Sequence, residues 1–415
     1  MKHLQMAETR VGKFLAPAAL CLLVMLSALL AVPSLCMGQS PSAADNGAIK
    51  DAAQAMVVGN LKQAESDLAS VLRSNPRDYR ALNLLGMIRA QQQRNVEAEK
   101  LFKRVIQEQP NFAGAYVNLG LVYLQMSQLD DAVAQFQEAL RIDPGRDDAL
   151  GALLNTWRVQ ARADVQSGNP EKALSALMQA RKASPRNPDV EFDFAMVALR
   201  MNLLPDAAEA FRGVLAVRPD DAKSLYGLGR ADIGLAKYED AAATFSRYVQ
   251  LYPQDASGHY ALGVSLASLE KTSEASAQFQ RSVEIQPEQT ESYLQLGRIC
   301  LDAGDLDCAA TNFNRVLSRD PRHAEGLSGL GRVEFQRKDY AKAVELLQRS
   351  IAIDPSVRQA HYYLGLAYAR LGRSEDSKKE LQVATSLEHE EVEKHRTMLK
   401  LLDSSQNPGD SKPEP

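Results

Sequence analysis

Residues 113–146 read AGAYVNLGLVYLQMSQLDDAVAQFQEALRIDPGR and contain two apolar stripes at helical spacing, separated by the polar turn residues MSQ. Tyr116 and Leu119 lie on one face of the first predicted helix, and Phe136 lies on the apolar face of the second. Pro144 follows the second stripe and cannot continue a helix, because proline lacks the backbone N–H and clashes with the preceding turn. This stretch therefore predicts a helical hairpin.

The same pattern recurs along most of the chain. When the proline is placed at position 32 of a repeat, position 8 is always Gly or Ala, position 20 is Ala or Ser, and position 24 is Phe or Leu. Ten repeats fit between residues 45 and 391. The prolines lie 34 residues apart, with one spacing of 41: Pro76, Pro110, Pro144, Pro185, Pro219, Pro253, Pro287, Pro321 and Pro355. One hairpin cannot bury its apolar face alone, so a fixed period of this length predicts a stacked array.

This arrangement resembles the tetratricopeptide repeat family. The small residues at positions 8 and 20 and the prolines carry the resemblance, together with Trp157, which falls on the family's Trp position at the start of a first helix. The large residues at position 24 also fit: Phe102, Phe136, Phe211, Phe245, Phe279 and Phe313. The resemblance implies an all-α fold, a right-handed superhelical solenoid of about ten helix hairpins. Three positions depart from the pattern, namely Asp51, Gln160 and His389.

Three further segments complete the predicted helical part. The seven extra residues before Trp157 amount to about two helical turns, so we expect one long helix over residues 147–166. Residues 388–402 have apolar residues on one face and predict a C-terminal capping helix. Residues 403–415 hold Asn, Gly, Ser and three prolines and predict a disordered tail.

The N-terminus has the pattern of a targeting segment. A basic start, an apolar run over residues 14–32 and a small-residue exit predict a secretory signal peptide over residues 1–38, followed by a linker at 39–44. The alternative is a retained inner-membrane anchor, because the run is just long enough to cross a bilayer as a helix. Membrane contact is then expected only through residues 14–32. Both alternatives predict an exported bacterial protein, periplasmic or extracellular.

Two of the four cysteines lie outside the N-terminal segment. Cys300 and Cys308 are placed on either side of the turn of the eighth repeat. In an exported protein a disulfide between them is one interpretation. The other is a pair of small buried thiols.

By the resemblance, the first helix of each repeat lines a concave groove with positions 2, 5, 9 and 12 or 13. Here positions 5 and 9 hold rings and guanidinium groups, which suit an extended peptide because Arg binds carboxylates and Tyr supplies contact area. The alternative is structural: Arg298 would pair with Glu325 of the next repeat, and the rings would pack between helices. The candidate groove residues are Arg158, Arg162, Phe192, Tyr226, Arg230, Tyr260, Arg298, Arg332 and Tyr362.

The composition excludes several classes of function. Lys and Arg total 48 against 52 Asp and Glu, a net charge of −4, which argues against a nucleic-acid partner. The six His are scattered, and no metal-binding spacing, P-loop or nucleophile elbow occurs, so we expect no metal, no cofactor and no enzyme activity. The leading hypothesis is a non-enzymatic scaffold of the cell envelope that binds protein or peptide segments. One alternative is an accessory subunit of a complex for envelope glycan or polysaccharide synthesis or transfer, with catalysis on another chain. Another is a structural tether between membrane and wall.

Overall fold

The computed structural model describes residues 43–406, and all regular elements in that range are α-helices. The chain divides into two compact units, the first ending at Val217 and the second beginning at Arg218. The first unit contains α1 Ala43–Val57, α2 Leu61–Ser74, α3 Tyr79–Gln91, α4 Asn95–Glu108, α5 Ala113–Gln125, α6 Leu129–Ile142, α7 Asp147–Gln166, α8 Pro170–Ala183, α9 Pro188–Arg200 and α10 Leu204–Val217. The second contains α11 Ala222–Gly234, α12 Tyr238–Leu251, α13 Ala256–Ser268, α14 Thr272–Ile285, α15 Thr290–Asp302, α16 Leu306–Arg319, α17 Ala324–Gln336, α18 Tyr340–Ile353, α19 Arg358–Arg370 and α20 Ser374–Gln406.

Within each unit the helices form consecutive hairpins that stack on one another. The two helices of a hairpin pack together, and the second helix also packs against the first helix of the next hairpin. The core lies between the helices, where the Phe side chains at position 24 are almost completely buried. Burial of one such side chain contributes roughly 1.5–3 kcal/mol. The predicted all-α solenoid of stacked hairpins is confirmed.

The small residue at position 8 lies directly against the large residue at position 24 of the same repeat. A Cβ atom at Gly120 would lie 2.6 Å from Cε1 of Phe136, and one at Gly263 would lie 2.6 Å from Cε1 of Phe279. Both rings are almost fully buried. In the repeats with glycine at position 8, the absence of a side chain therefore sets the distance between the two helices of the hairpin.

The turn inside each hairpin has one residue in the left-handed region of backbone space, always at position 15. Four repeats use glycine there, as at Gly304 with φ 79°. The other six place a residue with a side chain at this position, as at Ala236 with φ 55°. Because this conformation costs a residue with a Cβ about 1–2 kcal/mol, stacking of the helices must hold these six turns in place.

In the first nine repeats, the second helix ends two residues before the proline. In the third repeat α6 ends at Ile142, and the N–H of Asp143 donates to the carbonyl of Ala139 (2.9 Å) to complete the last turn. Pro144 then turns the chain toward the next hairpin. Helix α7 is 20 residues long and contains the seven extra residues of the fourth repeat.

The C-terminal end differs from the prediction. Residues 388–402 do not form a separate capping helix but continue the 33-residue helix α20. The second helix of the tenth repeat continues because His389 stands where the other repeats have proline, so no residue there breaks the helix. Residues 403–406 of the predicted tail are helical, and α1 begins at Ala43, inside the predicted linker 39–44. The predicted signal peptide and the rest of the tail lie outside the described residues.

Candidate functional site

In the first unit, the two candidate arginines of α7 share one acid. Arg158 and Arg162 are one helical turn apart, so both reach the carboxylate of Asp193 on α9. Arg158 Nε donates to Asp193 Oδ2 (2.6 Å), and Arg162 Nη2 donates to the same carboxylate at 3.1 and 3.2 Å. These ion pairs join the fourth repeat to the fifth, as in the structural alternative.

In the second unit, the three candidate arginines differ in their partners. Arg298 pairs with Glu325 of the next repeat, with Nη2 and Oε2 3.2 Å apart. The side chain of Arg332 is only 12% exposed and contacts Gln359, Asp302 and the ring of Tyr363. Arg230 is exposed, and among residues 43–406 we find no ion pair for it. Two of these three positions therefore link repeats, and Arg230 faces solvent.

The position-5 rings pack on the position-24 rings of their own repeats. Phe192 lies against Phe211, with ring centroids 6.3 Å apart. In the same way Tyr260 lies against Phe279 at 5.8 Å. Tyr362 is 43% exposed and presents its ring to solvent.

Tyr226 belongs to a cluster of rings in the second unit. Its centroid lies 5.5 Å from those of Phe245 and of Tyr248. Burial raises the pKa of Tyr226 above its ordinary value. The hydroxyl of Tyr248 donates to Oδ2 of Asp255 (2.6 Å), whose other oxygen caps α13. Three of the four candidate rings are thus part of the packing of the hairpins.

The second unit contains a pocket of about 250 Å³ between α15, α17 and α19. It is lined by Arg298, Glu325, Ser328, Arg332 and Gln359, with Asp354, Ser356 and Arg358 among the other lining residues. Three of these, Glu325, Ser328 and Gln359, occupy positions 2 and 5 of first helices, which are groove positions. Arg298 and Arg332 were predicted from the sequence as groove residues, whereas Ser328 and Gln359 were not. The available signal was a serine at position 5 where neighbouring repeats have Tyr or Leu.

Position 4 of the repeat makes a recurring polar contact with the preceding turn. His259 Nε2 lies 3.2 Å from the carbonyl oxygen of Pro253, and His361 Nε2 lies 3.0 Å from that of Pro355. Tyr116 donates its hydroxyl to the carbonyl of Pro110 (3.0 Å) in the same geometry. The position-4 side chain therefore ties a first helix to the turn of the preceding repeat.

The structure joins Cys300 and Cys308 in a disulfide, with Cα atoms 5.8 Å apart. The bond links α15 to α16 across the turn that contains Gly304. The side chain of Asp305 accepts from the N–H of Cys308 (3.0 Å) and caps α16. The hairpin of the eighth repeat is therefore held by a covalent bond, a cap and a glycine turn.

Residues 43–406 contain neither a metal-binding cluster nor a membrane-spanning helix. In residues 43–406 no group of His, Cys, Asp and Glu side chains is placed to hold a metal ion. In the same range, none of the helices has both the length and the apolar character needed to span a bilayer.

Comparison with known proteins agrees with the fold. A family model described as tetratricopeptide repeat matches residues 52–113, 158–222, 192–256, 226–290 and 294–358, and a second model of the same description matches residues 111–186. Human protein O-mannosyl-transferase TMTC3 is 26% identical over 152 residues, which are 36% of this chain and 16% of that protein. Cellulose synthase operon protein C of Pseudomonas fluorescens is 26% identical over 186 residues, 36% of this chain and 14% of that protein. The chain thus spans about one sixth or less of these relatives.

Two solved structures are also similar to this chain. The crystal structure of YrrB, described as a TPR protein with an unusual peptide-binding site, is 26% identical, with a TM-score of 0.39 over 45% of this chain and 97% of that one. The Cut9 complex with Hcn1 is 12% identical, with a TM-score of 0.46 over 88% of this chain and 96% of that one. Since the family models match more than half of the chain, with the hairpins described above, the chain belongs to the tetratricopeptide repeat family.

Proposed function

We propose that this protein is a non-enzymatic scaffold of the cell envelope that binds extended protein segments along the groove positions of its first helices. The tetratricopeptide fold supports a protein-interaction role in general. The observation that carries the finer proposal is in the second unit, where exposed Arg230 and the pocket beside Arg298 and Arg332 lie at or beside groove positions. An otherwise acidic chain places cationic groups there, and such groups attract carboxylate-bearing partners.

Two features support export to the envelope. The basic start and the apolar run over residues 14–32 have the pattern of a secretory signal or an anchor. The Cys300–Cys308 disulfide fits an oxidising compartment such as the periplasm. N-terminal sequencing of the protein from fractionated cells tests both alternatives, because it gives the compartment and the cleavage site together. Recovery of the chain in the cytosol with residue 1 intact would contradict export.

The contacts of the three arginines decide which of them can test binding in the groove. Charge reversal of Arg298 or Arg332 would also break contacts between repeats, so a loss of binding could reflect a loss of folding. Arg230 has no such contact among the described residues. We therefore compare Arg230→Glu with Arg315→Glu, since Arg315 is also exposed and unpaired in the described range but lies on the second helix α16.

The full chain is first used to capture binding proteins from its native host, and these partners are identified. Binding of each purified partner is then measured for both variants. We expect Arg230→Glu to weaken binding at least tenfold, about 1.4 kcal/mol, with Arg315→Glu unchanged. Equal binding by both variants would show that the groove positions are not the recognition surface.

A second candidate function has one specific observation in its favour. Two relatives, cellulose synthase operon protein C of Pseudomonas fluorescens and cellulose synthase 2 operon protein C of Komagataeibacter xylinus, are each 26% identical over the matched part. By that likeness the chain would be an accessory subunit of a complex for envelope glycan synthesis or transfer, with catalysis on another chain. Co-purification of a glycosyltransferase or synthase with the full chain would support this function over a general scaffold. A partner set without any such enzyme would count against it.

A further inference from the structure

The pocket of the second unit lies where α15, α17 and α19 of three successive repeats meet, and its volume is about 250 Å³. Pockets that enclose drug-sized ligands measure about 300–1,000 Å³. This pocket therefore suits a smaller ligand, of the size of one ring with its substituents.

Two buried polar groups at this pocket have no hydrogen-bond partner among the described residues. They are the hydroxyl of Ser328 and Nε of Arg332. Ser328 lines the pocket and is 3% exposed. Serine in a helix often donates to the carbonyl four residues earlier. Here that carbonyl, of Ala324, already accepts from the hydroxyl of Ser350 (2.7 Å), which leaves Ser328 unpaired.

The guanidinium of Arg332 is held in a fixed position by its neighbours. Nη1 donates to Oε1 of Gln359 (3.0 Å), and Nη2 lies 3.6 Å from Oδ1 of Asp302. Its carbon atom lies 4.9 Å from the centroid of the Tyr363 ring, within the range of a cation–π contact. Both terminal nitrogens are therefore engaged, while Nε is not.

Ser328 and Arg332 are four residues apart on α17, so they lie on one face of the helix. Nε of arginine can only donate a hydrogen bond, whereas a serine hydroxyl can donate or accept. Buried polar groups without partners are costly, and a ligand that supplies the partners removes that cost. The ligand must therefore present a hydrogen-bond acceptor to Arg332.

The charges around the pocket cancel. Glu325 is paired with Arg298, Asp302 is paired with Arg332, and Arg358 already has a partner of its own. The lining and these ion-pair partners hold three cationic and three anionic groups: Arg298, Arg332 and Arg358 with Glu325, Asp354 and Asp302. An anion taken out of water without an uncompensated cation beside it is costly, so the pocket favours an uncharged ligand.

The polar groups left for a ligand include both donors and an acceptor. Nε of Arg332 and Nε2 of Gln359 donate, Oε1 of Glu325 accepts, and none of these atoms has a hydrogen bond within residues 43–406. A hydroxyl both donates and accepts. The C=O and N–H of a trans peptide unit point in opposite directions, so one unit cannot serve donors and an acceptor in so small a space. Adjacent hydroxyls on one ring match this pocket better than peptide main chain.

The remaining lining includes apolar surface from Phe313 and Val357, on which the C–H groups of a sugar ring can pack. We infer that this pocket binds one residue of a neutral saccharide, with a ring hydroxyl that accepts from Arg332 Nε and is hydrogen-bonded to the Ser328 hydroxyl. The inference goes beyond the proposed function, because the site takes a carbohydrate rather than a protein segment.

Saturation-transfer NMR with the full chain detects the weak binding expected of so small a ligand. The probes are the methyl glycosides of glucose, galactose and mannose, the methyl glycosides of the corresponding uronic acids, and N-acetylglycine amide as a piece of peptide main chain. We expect at least one neutral glycoside to bind wild type at least fivefold more tightly than its uronic acid counterpart and the peptide probe.

Ser328→Ala is the decisive variant, because the hydroxyl that it removes has no hydrogen bond among the described residues. Its melting temperature should match or exceed that of wild type, while the neutral glycoside should bind at least fivefold more weakly. Arg332→Lys keeps the charge beside Asp302 but lacks Nε, and it should weaken binding in the same way. Ser265→Ala is the matched control, since Ser265 is also buried in a first helix of this unit but donates to the carbonyl of Ala261 (2.9 Å). It should bind the glycoside as wild type does.

Four results would overturn the inference. They are no binding of any neutral glycoside, tighter binding of a uronic acid than of its neutral counterpart, tightest binding of the peptide probe, and glycoside binding that Ser328→Ala and Arg332→Lys leave unchanged. The proposed function has a separate test, because the binding of protein partners is compared at Arg230, which does not line this pocket. Failure of saccharide binding therefore leaves the scaffold function standing.

Discussion

Replacing glycine by alanine at position 8 should separate close packing from helix propensity. In Gly120→Ala the new methyl group would meet Phe136, the fully buried ring at position 24. The matched control is Gly151→Ala in α7 of the same unit. Gly151 is exposed, and a Cβ there would have no neighbouring atom within 4 Å.

The geometry sets the expected size of the effect. At Gly120 the Cβ would lie 2.6 Å from the ring, whereas ordinary contacts lie at 3.4–4 Å. An inserted methyl group in a closed core costs about 1–3 kcal/mol. Alanine gains up to about 1 kcal/mol over glycine in a helix. We expect Gly120→Ala to lower the free energy of unfolding by about 0–3 kcal/mol and Gly151→Ala to raise it by up to about 1 kcal/mol.

Hydrogen exchange with mass spectrometry is the appropriate assay, because repeat arrays unfold in parts and a single melting curve would average over them. In Gly120→Ala, the amides of α5, α6 and the adjoining hairpins should exchange faster than in wild type. In Gly151→Ala, the amides of α7 should exchange more slowly. Equal protection of the two variants, or uniform loss over all hairpins in Gly120→Ala, would refute the reasoning.

Three further predictions concern the second unit. Ala236→Gly should raise the local free energy of unfolding by about 1 kcal/mol and Gly304→Ala should lower it by a similar amount, because both residues have a left-handed backbone conformation. Local hydrogen exchange measures each change, and changes of the same sign would contradict the prediction. Burial and a hydrogen bond to Asp255 raise the pKa of Tyr248 above its ordinary value, so its contribution to stability is complete below about pH 10 and is lost as the pH rises further. In urea unfolding, the free energy of unfolding of Tyr248→Phe should therefore fall less above about pH 10 than that of wild type. An equal pH dependence of the two proteins would contradict this. Alkylation of the exported protein without reductant should leave Cys300 and Cys308 unmodified, and replacing both by serine should cost about 0–3 kcal/mol; two alkylated thiols would exclude the bond.

Contacts inside one repeat could be predicted from the sequence because they depend on fixed helical spacing. The period of 34 residues, the small residues facing Phe136 and its equivalents, and the proline that follows each second helix all act within one hairpin. The missing proline at His389 was also visible, although the continuous helix that it allows was not predicted. Local rules were sufficient for these features because each involves residues close in sequence.

Contacts between repeats were decided by the tertiary structure. The sequence placed Arg158, Arg162 and Arg332 on the first helices, but the stacking of neighbouring hairpins decided that Asp193 lies within reach of two of them and Gln359 within reach of the third. The pocket depends on three successive repeats, and the unpaired Ser328 depends on Ser350 taking a carbonyl from a different helix. The physical reason is that the rotation and offset between hairpins result from all interface side chains packing together, so no single spacing in the sequence specifies them.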